Sequence, residues 1–101
     1  MQNYQFNSYA LGKTSSATDD YPHQDHNRFV FVTNNEVPNT VWIYRYHNNK
    51  ELNYPCVLED KSLNLHIEID CGMPVTINTA RTAWKLLLKH GFTREMEYMN
   101  A

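Results

Sequence analysis

VTINTARTAWKLLLKHGF, residues 75–92, decides how the rest of the chain must fold. Ile77, Ala80, Ala83, Trp84, Leu87 and Leu88 recur at intervals of three and four, which places them on one face of an α-helix. Arg81, Lys85 and Lys89 sit four apart on another face, with Thr82 between the two. Thr76 is the expected N-cap, because its hydroxyl can accept an otherwise unpaired amide of the first turn and Val75 can then staple onto Ala80. Asn78 is the rival cap. At the far end, Gly91 can take positive φ and let Phe92 fold back onto Leu87, the contact of a Schellman stop. Lys89 and His90 lie where cations favour the negative end of the helix dipole. The spacing predicts a helix over 77–90.

A helix with one apolar stripe needs an apolar surface to cover, and the upstream chain offers strands. NRFVFVTN, 27–34, carries the unbroken run Phe29, Val30, Phe31, Val32, the pattern of a strand covered on both faces. After a turn through Asn34–Asn39, TVWIYRYH, 40–47, is β-branched and aromatic throughout. In it Val41, Ile43 and Arg45 point one way and Trp42, Tyr44 and Tyr46 the other, and the two strands should pair as an antiparallel hairpin. In ELNYPCVLED, 51–60, Pro55 restricts a short apolar piece to an edge or a non-strand role. SLNLHIEID, 62–70, alternates cleanly, with Leu63, Leu65, Ile67 and Ile69 inward, continued by Cys71, and Asn64, His66, Glu68 and Asp70 outward.

The fold class expected is therefore α+β: a three- or four-stranded antiparallel sheet, β-β-(β)-β-α, covered by one C-terminal helix. Residues 28–92 form the expected core domain. Residues 1–27 read as an N-terminal arm and loop, partly flexible. Within it Tyr4 and Phe6 alternate, Tyr9 and Leu11 follow in the opposite phase, and 13–27 is polar and turn-rich. Residues 93–101 read as a frayed tail.

Composition bounds the function. Hydrophobic residues at 42% and aromatics at 13% are too many for a disordered chain. No apolar run approaches the ~20 residues of a membrane span. The N-terminus has no basic region followed by an apolar run, so a signal peptide is not expected and the cytoplasm is the expected compartment. Cys56 and Cys71 lack CxxC spacing and read as free thiols rather than a disulfide or zinc site. A net charge of −2 argues against indiscriminate nucleic-acid binding, although the C-terminal third is locally basic. Asparagine is the commonest polar residue. No nucleophile elbow, Walker A loop, HExxH or dinucleotide glycine pattern is present, and no cofactor or catalytic residue is assigned.

Several groups carry weaker hints. His23, Asp25 and His26 are metal-capable side chains without a third ligand at a defined spacing, and solvated loop residues explain them better. His66, Glu68 and Asp70 share a strand face, for which a wet outer surface suffices. Arg81, Lys85, Lys89 and Arg94 could follow a phosphate backbone, with Trp42, Tyr44 and Tyr46 as stacking surfaces. Tyr4, Phe6, Tyr9 and Tyr21 lie outside the firm elements, and aromatics with polar tips suit protein interfaces.

The run Thr76, Ala80, Trp84, Leu87-Leu88 and Gly91-Phe92 resembles the C-terminal signature of a family of small marine-cyanobacterial and cyanophage proteins. That signature has a threonine start, an alanine, a tryptophan, paired leucines and a closing Gly-Trp. The likeness covers about a fifth of the chain. Ile77 stands where the family tends to have arginine, and Phe92 replaces the final tryptophan. The resemblance implies a source of that kind but no activity, and it carries over no functional residue.

The leading expectation is a small non-enzymatic interaction protein, a phage-encoded or accessory regulator that binds a host or partner protein or a second copy of itself, working from its aromatic N-terminal third. A nucleic-acid-binding module using the basic helix face is second. A small metal protein or enzyme is third.

Overall fold

Residues 77–89 form the helix that the spacing predicts. In this computed structural model, which describes residues 6–16, 19 and 24–95, α1 spans Ile77–Lys89 and Thr76 caps it, the hydroxyl accepting the Thr79 amide at 3.3 Å. Its exit is a Schellman motif. Gly91 sits at φ +94°, the Phe92 amide donates to the Leu87 carbonyl at 3.0 Å, and the Gly91 amide donates to Leu88 at 3.1 Å. Lys13 Nζ donates to the His90 carbonyl at 2.8 Å, adding a cation to this end.

The strands are β1 (Phe6–Ser15), β2 (Asp25–Asn34), β3 (Thr40–His47), β4 (Lys50–Leu52), β5 (Cys56–Asp60), β6 (Leu65–Ile69), β7 (Pro74–Thr76) and β8 (Thr93–Glu95). The main sheet runs β4-β3-β2-β1-β8, with β7 beside the other end of β3, and β5–β6 is a separate two-stranded hairpin. All the pairings within them are antiparallel. Register puts Leu11, Phe29 and Arg45 in one cross-strand row and Tyr9, Phe31 and Ile43 in another. The helix packs Ala80, Ala83, Leu86 and Leu87 onto this face, and Leu58 and Ile69 of the hairpin join the same core. Phe31 meets Trp84 edge-on with ring centroids 5.1 Å apart, and Phe29 meets Phe92 at 5.5 Å. Val30, on the reverse face, is also buried, as its unbroken apolar run implied.

The α+β class, the antiparallel sheet and the single covering helix match the sequence reading, but the strands are more numerous. Residues 13–15 and 25–27, read as loop, are the distal ends of β1 and β2, paired through Thr14 with His26 and Ser15 with Asp25. Their lack of period has a simple cause: both faces of the sheet are polar there. Leu11, read as out of phase with Phe6, lies fully buried at the centre of the sheet. Thr93–Glu95, read as tail, is the edge strand β8.

The segment 62–70 also departs from its pattern. Lys61–Leu63 is a 3-10 turn, capped by the Asp60 carboxylate and ended by Asn64 at φ +52°. Ile69 is fully buried, yet Leu63 is 59% exposed. Alternation along the hairpin strands is real, but Leu63 lies in the turn at their tip, outside the core. Pro55 precedes β5 and does not interrupt it.

Asparagine does the work of glycine in this chain. All the positive-φ residues other than glycine among the described residues are asparagines, namely Asn39, Asn48, Asn49 and Asn64. Asn48 and Asn49, at φ +50° and +66°, form the two-residue β3–β4 turn whose handedness matches strand twist. Asparagine tolerates the left-handed region better than other side chains.

The helix stripe is correct in its centre and wrong at one flank. Leu88, expected inward, is 47% exposed, and Leu86 is 2% exposed instead. At roughly 100° per residue, both lie about equally far from the line of Ala80, Ala83 and Leu87. What separates them is the hairpin, which closes the flank shared by Leu86, Lys89 and His90; Lys89 binds Asp60 and His90 donates to the Glu59 carbonyl at 2.9 Å. Ile77, Arg81, Trp84 and Leu88 form the other flank. Leu87→Ala should cost about 3 kcal/mol in denaturant unfolding, as for other fully buried leucines. Gly91→Val should cost about 1–2 kcal/mol, because the left-handed conformation clashes with a branched side chain.

Candidate binding groove

The flank of α1 away from the hairpin borders an open groove of about 270 Å³. Phe31 and Val41 make its apolar floor. Ile77, Ala80, Arg81 and Trp84 form the helix wall, and Tyr9 and Arg94 stand opposite. Tyr9 is 41% exposed, and the Arg94 guanidinium lies over its ring, 5.5 Å from the centroid. Among the described residues, no carboxylate, imidazole or thiol lines the groove. Neither Arg81 nor Arg94 makes a hydrogen bond or ion pair among the described residues.

The position of Arg94 depends on its neighbour. Arg94 pairs with Leu11, so its side chain stands on the helix side of the sheet, and Glu95 points to the reverse side. There the Glu95 carboxylate crosses β1 directly over Gly12, where an added Cβ would come within 2.1 Å of Glu95 Cδ. It accepts from His26 Nε2 of β2 at 2.7 Å. A carboxylate can only accept, so Nε2 carries the proton. This contact staples the three-residue edge strand across β1 and thereby sets Arg94 at the groove.

The structure distributes the sequence candidates unevenly. Tyr4, Tyr21 and His23 lie outside the described residues. Phe6 opens β1 opposite Asn34, and Tyr9 lines the groove. Arg81 and Arg94 meet there, Lys85 is exposed elsewhere on α1, and Lys89 is taken by Asp60. Trp42, Tyr44 and Tyr46 alternate with the core residues Val41 and Ile43, so they stand on the reverse face of the sheet, away from the helix cations. Asp25 and His26 are adjacent on β2 and point to opposite faces: Asp25 lies 3.3 Å from His47, and His26 binds Glu95. No group of three or more His, Cys, Asp or Glu among the described residues is placed to hold a metal ion. His66, Glu68 and Asp70 are exposed, with His66 3.7 Å from Glu59. Sequence reasoning assigned Trp84 to the core alone. Its one-turn spacing from Arg81 and Leu88 was the signal that all three share a flank.

A second cavity, about 400 Å³, lies between the hairpin and the helix end, but its chemistry is already engaged. Arg45 lies over the Phe29 and Tyr54 rings at 5.9 and 5.7 Å from their centroids. Burial pushes the Cys56 thiol above its ordinary value, only partly offset by Arg45, and Cys71 is raised by burial and by Cys56. Both thiols therefore stay protonated and weakly nucleophilic near neutral pH.

Asp60 is the electrostatic anchor of the hairpin. It accepts from Lys89 Nζ, and its Oδ1 accepts the Ser62 hydroxyl at 2.6 Å and the Ser62 amide at 3.0 Å. The Lys89 ammonium foremost, then the Ser62 hydroxyl, hold its carboxyl down to about 2, against burial, which acts to raise it.

Fold and groove together define a small α+β domain with an apolar groove rimmed by two arginines. No family model, curated protein or solved structure matches the chain. Among the described residues, no helix is long and apolar enough to cross a membrane.

Because Asp60 has a lowered folded value, its contribution is present above the ordinary 3.8 and is lost as pH falls from there toward about 2. Asp60→Asn should lower the thermal midpoint at pH 7. The gap between variant and native chain should narrow progressively in melts taken below pH 3.8.

Proposed function

We propose that the protein is a small non-enzymatic interaction module that binds a partner protein through the groove between α1 and β1. The observation that carries this reading is the uncovered helix flank. Among the described residues, the hairpin seals one side of α1, whereas the other leaves an apolar floor open beside the exposed side chains of Tyr9 and Leu88. Tyrosine, tryptophan and arginine are the side chains that dominate binding energy at protein interfaces, and Tyr9, Trp84, Arg81 and Arg94 surround this opening. A volume of about 270 Å³ falls just below the range of roughly 300–1,000 Å³ that encloses drug-sized ligands. It suits an anchoring side chain better. Among the described residues the groove lining holds no carboxylate, imidazole or thiol, and nothing beside the Tyr9 and Thr33 hydroxyls to activate them as acids, bases or nucleophiles.

Binding of nucleic acid is the weaker reading. It needs a row of helix cations beside aromatic stacking surfaces, but Lys89 is bound to Asp60 and the Trp42, Tyr44, Tyr46 row lies on the reverse face of the sheet.

A photoreactive amino acid placed at Arg81, in cells that make the protein, should yield a discrete protein adduct on irradiation. The same residue at Lys61, exposed on the hairpin flank, should not. Equal labelling from both positions, or adducts to nucleic acid alone, would refute docking of a protein in the groove.

A further inference from the structure

We infer that the segment received by the groove is acidic: an apolar side chain seated against Trp84 and Ile77, with a neighbouring carboxylate held by Arg81 and Arg94. This rests on the groove being the docking surface. It adds the chemistry of the occupant.

Charge complementarity carries the inference. The chain is net negative at −2, and several of its basic groups near the helix are already committed. Lys89 is taken by Asp60, Lys13 by the His90 carbonyl, and Arg45 by aromatic rings. Arg81 and Arg94 are the lining cations of this groove, and among the described residues no anion stands on its other walls. An apolar occupant without charge would bring two guanidiniums toward a desolvated rim and leave them unpaired, an arrangement that costs binding energy.

The local geometry favours a planar anion. Arg94 has one guanidinium face against Tyr9, so its N–H edges remain available to a ligand. A guanidinium edge presents parallel donors that match the two oxygens of a carboxylate. Arg81 projects from α1 on the facing wall, and Ile77, one turn before it, supplies apolar contact beside it. The groove thus pairs an apolar seat with donors on both walls, the complement of an aliphatic or aromatic residue next to Asp or Glu.

The test uses a random peptide library displayed on phage and panned against the full chain, followed by affinity measurement of enriched peptides by fluorescence polarisation. Enriched sequences should pair an apolar residue with an adjacent Asp or Glu. Replacing that acid with Asn or Gln should weaken binding about tenfold, the scale of one lost charge-assisted hydrogen bond. Arg81→Gln and Arg94→Gln should each weaken binding by about the same factor, Tyr9→Ala should also weaken it, and Lys85→Gln should leave it essentially unchanged. Affinity should fall as salt is raised. Peptides that depend on Tyr9 but show no acidic preference and no response to Arg81→Gln would overturn the acidic occupant and leave the groove as a docking surface. If no peptide is enriched, or those enriched ignore Tyr9→Ala, the docking reading fails and the acidic occupant falls with it.

Discussion

The close packing of the Ala80, Ala83 and Leu87 stripe onto the Leu11, Phe29, Phe31 and Ile43 face is the interaction on which the rest of this structure depends. Alanine at two of these positions lets the helix backbone approach the sheet, and the larger rings then fill the margins: Trp84 against Phe31, Phe92 against Phe29. Burial of these apolar side chains is the main favourable contribution to folding in a domain of this size. The caps at Thr76 and Gly91 set where the helix begins and ends, so they also set which residues meet the sheet.

A single helix on a broad sheet cannot cover both of its own margins, and the chain deals with them differently. The β5–β6 hairpin closes one, using Leu58 and Ile69 for apolar contact and Asp60 for Lys89. At the other margin the apolar floor stays open, edged by Tyr9 and two arginines that have no acidic partner among the described residues. One margin thus spends its cations on internal order while the other keeps them available. The functional proposal follows from that asymmetry. On the reverse face, the contact of Glu95 with His26 over Gly12 holds β8 in the sheet and keeps Arg94 where the groove needs it.

Much of this was readable in the residues. The helix, its caps, the β2–β3 hairpin and the sidedness of β3 all follow from local periodicity and turn chemistry. Reading failed where local pattern and tertiary context part company. Lys13–Ser15 and Asp25–Asn27 show no period because both faces are polar, yet they pair in register with each other. Leu63 and Ile69 share one alternation in the sequence but end at 59% and 0% exposure, because Leu63 falls in the 3-10 turn at the hairpin tip. Of the candidate site, the sequence points to Tyr9 as an interface aromatic and to Arg81 and Arg94 as phosphate-binding cations, and has no local signal that joins them.

The sequence by itself therefore determined an α+β chain with one capped helix lying on an antiparallel sheet, since a 3.6-residue period and a two-residue period are properties of the local chain. Only the tertiary structure decided which helix flank is sealed. Leu86 and Leu88 are nearly equivalent by angle, and so are the cations beside them. The distant Asp60 binds one flank, 29 residues from Lys89, and Tyr9 faces the other across the groove from most of the chain away. No local pattern encodes such a meeting, because it arises from how the hairpin and the first strand come to rest on opposite sides of the same helix.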